Sequence, residues 1–291
     1  MRWTPGDRGN IDDYRGRSGM GMRAAPLGIG GLLLMLLLSW LTGVDFLSLA
    51  GGGGPSAGRA PTQSVGTSGT ADETPEEARL RDMVSNVTED AQNTWRELLG
   101  GRYEETRVAL FRDAIDSACG FAQSATGPFY CPADRRVYLD LGFFDELQRR
   151  FSAPGDFAQA YVVAHELGHH VQTITGIEAE VRQRQSARPS ERNALSVRME
   201  LQADCFAGIW GHHAAQAGRA AAGGVELDPG DIDEALNAAA AIGDDRLQRQ
   251  GSGRISPESF THGSSQQRVE WFRRGFQSGD PQVCDTFQGG A

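Results

Sequence analysis

The chain contains no lysine: all 28 of its basic residues are arginine, and against 38 acidic residues they leave a formal charge of −10. No basic stripe is available to displace counterions from phosphates, which excludes nucleic acid as an expected partner. The missing lysine points to codon usage and carries no mechanism. Cysteine is scarce, with four in 291 residues. None stands in a CxxC or other short ligand spacing, so disulfides are the expected use and a second metal site the competing one. Histidine numbers only six, so the positions of those six are informative.

Only one long hydrophobic run is present. Ala24 to Val44 holds no charged residue and is about long enough to cross a bilayer. It predicts a transmembrane anchor, with a cleaved signal peptide as the rival reading. Arg2, Arg8, Arg15, Arg17 and Arg23 precede it. The positive-inside rule then places residues 1–23 in the cytoplasm and everything after the anchor in the periplasm or outside the cell. Residues 45–74 are rich in Gly, Ser, Thr and Pro, as expected of a flexible linker. Residues 75–291 are long enough for one core and show no internal repeat, so one domain is expected there. All four cysteines fall in it, where the compartment would be oxidising. Cys119 with Cys131 and Cys205 with Cys284 are the preferred pairs of the three possible connectivities.

Thr74-Pro75-Glu76-Glu77 reads as a helix start, and the helix is expected to reach about Leu99. Arg107–Ile115 and Arg136–Leu141 have the β-branched and aromatic content of strands. Asp156 is a candidate cap for a helix ending at Thr175-Gly176, and Pro189-Ser190 opens a second long helix with Leu195, Met199, Phe206, Ile209 and Trp210 on its apolar face. Asp231 to Gln250 is expected as a third helix, and the last begins near Ser264. A short sheet followed by helices is an α+β pattern, mainly helical.

His165-Glu166-Leu167-Gly168-His169 is the decisive motif. On a helix, histidines four apart share one face, each imidazole supplies one nitrogen to Zn²⁺, and the glutamate between them reaches the water to be activated. The extended HExxHxxGxxH pattern fails, because Gln172 and Thr175 occupy its glycine and third-histidine positions. Glu200 is the favoured third ligand: Asp204 follows one turn later on the same face, placed to hydrogen-bond the other nitrogen of a zinc-bound histidine. Glu178, Glu180 and Glu191 are the alternatives. His170 points about 100° away from His169 and is expected to be structural, with His212 and His213 surface or capping residues.

These residues resemble those of the bacterial neutral zinc metallopeptidases, the YpfJ-like proteins. The likeness spans Arg2-Trp3 with Asn10-Ile11-Asp12-Asp13, the segments Ser124–Leu147, AHELGHHVQ from Ala164 and ELQADCFAGIW from Glu200, and Ser259–Asp280. It implies a zincin-like, minigluzincin fold, one Zn²⁺ per chain on His165, His169 and Glu200, and Glu166 as catalytic residue. Thr261-His262-Gly263-Ser264 followed by Arg268 is also similar to the segment after the glutamate helix in membrane zinc peptidases of the Ste24/HtpX type. That likeness implies that His262 hydrogen-bonds the oxyanion and that Arg268 orients a carboxylate. The peptide substrate is expected to add as a strand along an edge at Gly127-Pro128-Phe129-Tyr130. The expectation is therefore a membrane-anchored zinc metallopeptidase acting on proteins or peptides. A membrane-tethered zinc-binding scaffold without useful proteolysis is the alternative.

Overall fold

The computed structural model describes residues 1–5, 8–16, 73–124, 127–251 and 253–288. The expected anchor at 24–44 and nearly all of the expected linker lie outside these residues. Among the described residues no helix is long and apolar enough to cross a membrane.

The sheet positions the rest. β1 (Ile11–Asp13), β2 (Arg107–Phe111), β5 (Phe129–Cys131) and β6 (Arg136–Asp140) form a four-stranded sheet in the order β1-β2-β6-β5. β1, β2 and β6 are mutually parallel, with Ile11 opposite Val108 and Val108 opposite Val137, whereas β5 runs antiparallel to β6 at an edge. β3 (Ala114–Ser117) and β4 (Gly120–Gln123) form a separate hairpin. The single strand expected over Arg107–Ile115 is thus two, broken where Asp113 turns with φ 63°. Buried on both faces, the central β2 reads as a continuous apolar run, Val108 to Phe111.

Helices pack on this sheet. α1 (Pro75–Leu99) begins in a capping box in which Thr74 and Glu77 each accept from the other's backbone N–H. α2 (Gly142–Arg149) follows β6, and α3 (Asp156–Ile174) carries the HExxH motif. α3 is buried along most of its length between the sheet, α1, α5 (Arg192–Ala214) and α6 (Asp231–Ala241), which explains why its apolar residues from Phe157 to Val171 are not confined to one stripe. Asp156 does not cap it as expected. Gly155 is the N-cap residue, and Glu234 of α6 accepts the Phe157 N–H. α4 (Ile177–Ala187), not anticipated, separates α3 from α5. The expected third helix is two, α6 and α7 (Asp244–Gly251), and α8 (Ser265–Ser278) is capped by Ser264. α8 lies hard against α5, where a Cβ on Gly208 would sit 2.1 Å from the Phe272 carbonyl oxygen and one on Gly275 2.0 Å from that of Cys205.

Residues 1–15 belong to the same compact unit as the chain from 72 onward. Besides β1, Arg2 and Glu226 exchange two backbone hydrogen bonds, Asn86 donates to the Thr4 carbonyl, and Asn10 and Ser85 bond reciprocally. The boundary expected at residue 75 is therefore corrected: the unit includes an N-terminal arm that supplies one of its four strands. The sequence carries little strand signal there, because the strand is three residues long and its aspartates pair with arginines.

Both expected disulfides are present. Cys119–Cys131 ties the β3–β4 hairpin to β5, and Cys205–Cys284 ties the C-terminal segment to α5, with Cα–Cα separations of 5.8 and 5.6 Å.

Candidate metal centre

Helical periodicity places Tyr161, His165 and His169 one above another on α3, and the facing helix α5 brings Glu200 and Asp204, also one turn apart. The two helices approach closely because Gly168 has no side chain: a Cβ there would lie 3.0 Å from the Cα and carbonyl oxygen of Ala203. The glycine inside the motif thus abuts the residue between Glu200 and Asp204.

Glu200 faces both histidines. Its Oε2 lies 3.2 Å from His165 Nε2 and its Oε1 3.5 Å from His169 Nε2, and the ligand atoms of all three residues fall within 4.8 Å of one another. Four ligands held tetrahedrally about 2.0–2.1 Å from zinc stand roughly 3.3 Å apart. Two of the spacings match that figure, and two imidazoles with one carboxylate are a zinc donor set, so these residues fit the ion. The rivals Glu178, Glu180 and Glu191 are not in this cluster; Glu178 and Glu180 pair instead with Arg182 and Arg184 along α4.

Both histidines are oriented from behind. His165 Nδ1 donates to Asp204 Oδ1 at 2.9 Å, leaving Nε2 for the metal. Asp204 is fully buried and also receives Tyr161 Oη at 2.5 Å and Arg268 through Nε at 2.8 Å and Nη2 at 2.9 Å. Burial raises the Asp204 carboxyl, but the Arg268 guanidinium and His165 outweigh it and hold it below its ordinary value. His169 Nδ1 donates to Gln172 Oε1 at 2.8 Å. The amide of Gln172 is in turn fixed by donation to the Met199 carbonyl and to Gln202, which itself donates to the Cys284 carbonyl. Tyr161 was not read from the sequence, and Gln172 entered only as a departure from the extended motif. Their signal was available, since Tyr161 is one turn before His165 and Gln172 three residues after His169.

Glu166 lies on the cleft face of α3, and burial pushes its carboxyl upward. Burial opposes ionisation of Glu200 as well, but the two imidazoles beside it win and hold it well below the usual carboxylate range, so it is an anionic donor. His262 lines the same cleft, with about half of its side chain exposed. His170 is buried, bonded through Nδ1 to Tyr130 Oη at 3.0 Å and through Nε2 to the Glu104 carbonyl at 2.6 Å, a structural role as expected. His212 is half-buried and donates from Nδ1 to the Phe276 carbonyl, tying α5 to α8 rather than facing solvent.

The cleft encloses about 820 Å³. One wall is the edge strand β5 with Gly127 and Pro128. Ile242 and Leu247 line the cleft as well, and Phe143, Phe151 and Val162 add apolar surface.

The profile of the family described as "Putative neutral zinc metallopeptidase" matches residues 1–287. The chain is 46% identical over 297 aligned residues to "Uncharacterized protein YpfJ" of Escherichia coli (strain K12), covering 99% of each. It is 47% identical over 197 residues to "Uncharacterized protein Rv2575" of Mycobacterium tuberculosis (strain ATCC 25618 / H37Rv), covering 66% of each. No solved structure matches.

Proposed function

Because the chain belongs to the putative neutral zinc metallopeptidase family, we propose that it hydrolyses peptide bonds of proteins or peptides with one zinc ion held by His165, His169 and Glu200. The observation that carries this reading is the triangle of ligand atoms at zinc spacing, with Glu166 buried on the same cleft face.

Zinc held by His165, His169 and Glu200 would supply Lewis acidity for the scissile carbonyl and would lower the pKa of water toward about 7. Glu166 takes the proton of the attacking water and delivers it to the leaving amine. His262 hydrogen-bonds the carbonyl oxygen as negative charge develops. Asp204, with Tyr161 and Arg268 behind it, keeps His165 in the tautomer that presents Nε2. The substrate lies extended beside β5, whose outer edge lacks a strand partner among the described residues.

Two disulfides support an oxidising compartment for the whole unit, residues 1–15 included. Attachment to a membrane through 24–44 belongs to the proposal on the strength of that apolar run alone.

The test is zinc per chain together with cleavage of an unfolded protein. The native chain should hold about one zinc, lost in folded His165→Ala and Glu200→Ala. Glu166→Gln should keep zinc and lose about 10²–10⁴-fold in rate. Zinc bound with no turnover of any unfolded substrate would replace the peptidase by the scaffold reading.

A further inference from the structure

Asp244, the first residue of α7, is an acid that the proposed reaction leaves without a part. It is buried where the broken helix α6–α7 meets the loop ahead of α8. Its Oδ2 accepts three consecutive backbone N–H groups, from Thr261 at 2.7 Å, His262 at 2.7 Å and Gly263 at 3.2 Å. Its own N–H donates to the Gly263 carbonyl at 2.9 Å. The second oxygen, Oδ1, stands 3.2 Å from His262 Nδ1, and Thr261 Oγ1 stands 3.0 Å from the same nitrogen.

The three main-chain bonds fix the backbone from which His262 projects, so only the two side-chain torsions of His262 remain free. The contact at Nδ1 removes most of that freedom. A carboxylate only accepts, so with Nδ1 protonated the ring donates to Asp244, the Thr261 hydroxyl is free to accept as well, and Nε2 is the nitrogen left for the cleft that His262 shares with His165, Glu166 and Glu200. Nε2 offers a hydrogen bond to a carbonyl oxygen only when it too is protonated. The hydrogen bond that Asp244 on α7 accepts raises the affinity of His262 for that second proton, burial opposes it, Glu200 on α5 adds to it and Arg268 on α8 subtracts.

We propose that Asp244 is the positioning residue of His262, holding its ring by Nδ1 so that Nε2–H is the group offered to the carbonyl oxygen of a bound peptide. The use made of Nε2 rests on the peptidase reading; the hold on Nδ1 is a property of the fold alone. Sequence spacing hides the pair, since the two residues are eighteen positions apart on different elements.

The experiment uses the full chain and two readouts. Asp244→Asn retains an oxygen for the three N–H groups, whereas Asp244→Ala removes it and serves only as a folding control. In the first readout, imidazole signals of His262 are followed by NMR through a pH titration. Asp244→Asn should lower the titration midpoint by about one unit or more, and an unmoved midpoint would overturn the proposal whether or not the protein cleaves anything. In the second, cleavage is measured for Asp244→Asn, His262→Ala and the double variant. His262→Ala should cost about 10²-fold in kcat with little change in KM. Asp244→Asn should cost part of that, and should cost less than about twofold when added to His262→Ala. Full additivity would mean that Asp244 acts elsewhere and would also overturn the proposal. A native protein that binds zinc and cleaves nothing would end the peptidase reading, and the first readout would still decide the hold of Asp244 on His262.

Discussion

Gln172 Oε1 accepts a hydrogen bond from Nδ1 of His169, three residues earlier on the same helix, at 2.8 Å. Its own amide is anchored by the Met199 carbonyl two helices away and by Gln202. An uncharged amide thus orients one histidine, while the charged Asp204 orients the other.

Replacing Gln172 with Leu should leave His169 free to rotate and to take the wrong tautomer. Zinc affinity, measured by competition with a chelator, should fall about 10–100-fold, while Gln172→Glu, which keeps the acceptor, should lose much less. Affinity unchanged in Gln172→Leu would mean that packing alone holds the ring.

The two disulfides should differ in worth. Cys205–Cys284 closes a separation of 79 residues and Cys119–Cys131 one of 12. Loop-closure entropy puts the first at about 4.5 kcal/mol and the second at about 3 kcal/mol as upper figures. Urea unfolding of the two paired Cys→Ser variants should therefore show the larger loss for the 205–284 pair. That pair should also weaken zinc binding, because Gln202 donates to the Cys284 carbonyl and holds Gln172.

The metal site was largely legible in the sequence, and its supports were not. A helix repeats every 3.6 residues, so His165 with His169 and Glu200 with Asp204 announce shared faces by spacing alone. What spacing does not carry is which face meets which. Tyr161 and Gln172 sit at readable spacings from the histidines, but what they hold shows only with α5 in place, and Asp244 shows only with α7 set beside the loop ahead of α8. The strands expected over Arg107–Ile115 and Arg136–Leu141 were found by composition, with the first running too far, and the edge at Gly127–Tyr130, too short to show a period, was read from its proline and Cys131. The helix expected through Asp231–Gln250 breaks because Ser265, in the first turn of α8, donates to the Ala240 carbonyl and to Asp245 on either side of the break. A contact between elements overrides the local pattern there.

Acid should loosen the N-terminal arm. Burial pushes the Asp13 carboxyl up, but bonds from Arg15 outweigh it and hold its pKa below the ordinary value. A depressed carboxylate contributes stability in full above its unfolded pKa, about 3.9, and loses it as pH falls through the folded value. Amide exchange over residues 8–16, corrected for the intrinsic effect of pH, should therefore accelerate below about pH 4, and Asp13→Asn should show fast exchange already at pH 7. Exchange that tracks only the intrinsic rate would show that this ion pair does not retain the arm.

The arm also constrains topology. Ile11–Asp13 exchanges backbone hydrogen bonds with Val108–Leu110, and strands that do so occupy one compartment. A single crossing by residues 24–44 would put those partners on opposite faces of a membrane, so the arrangement expected from the arginines of the first 23 residues and the pairing seen here exclude one another. Thr4 and Ser278 are both exposed, so a cysteine at either position reports its own side. In intact cells, an impermeant maleimide should label Thr4→Cys and Ser278→Cys alike, either both or neither. The same reagent should label both after lysis. Labelling of Ser278→Cys alone before lysis would show that β1 is not paired in the membrane-bound protein. The sheet would then have three strands, and the arm would join it only when the chain folds on one side.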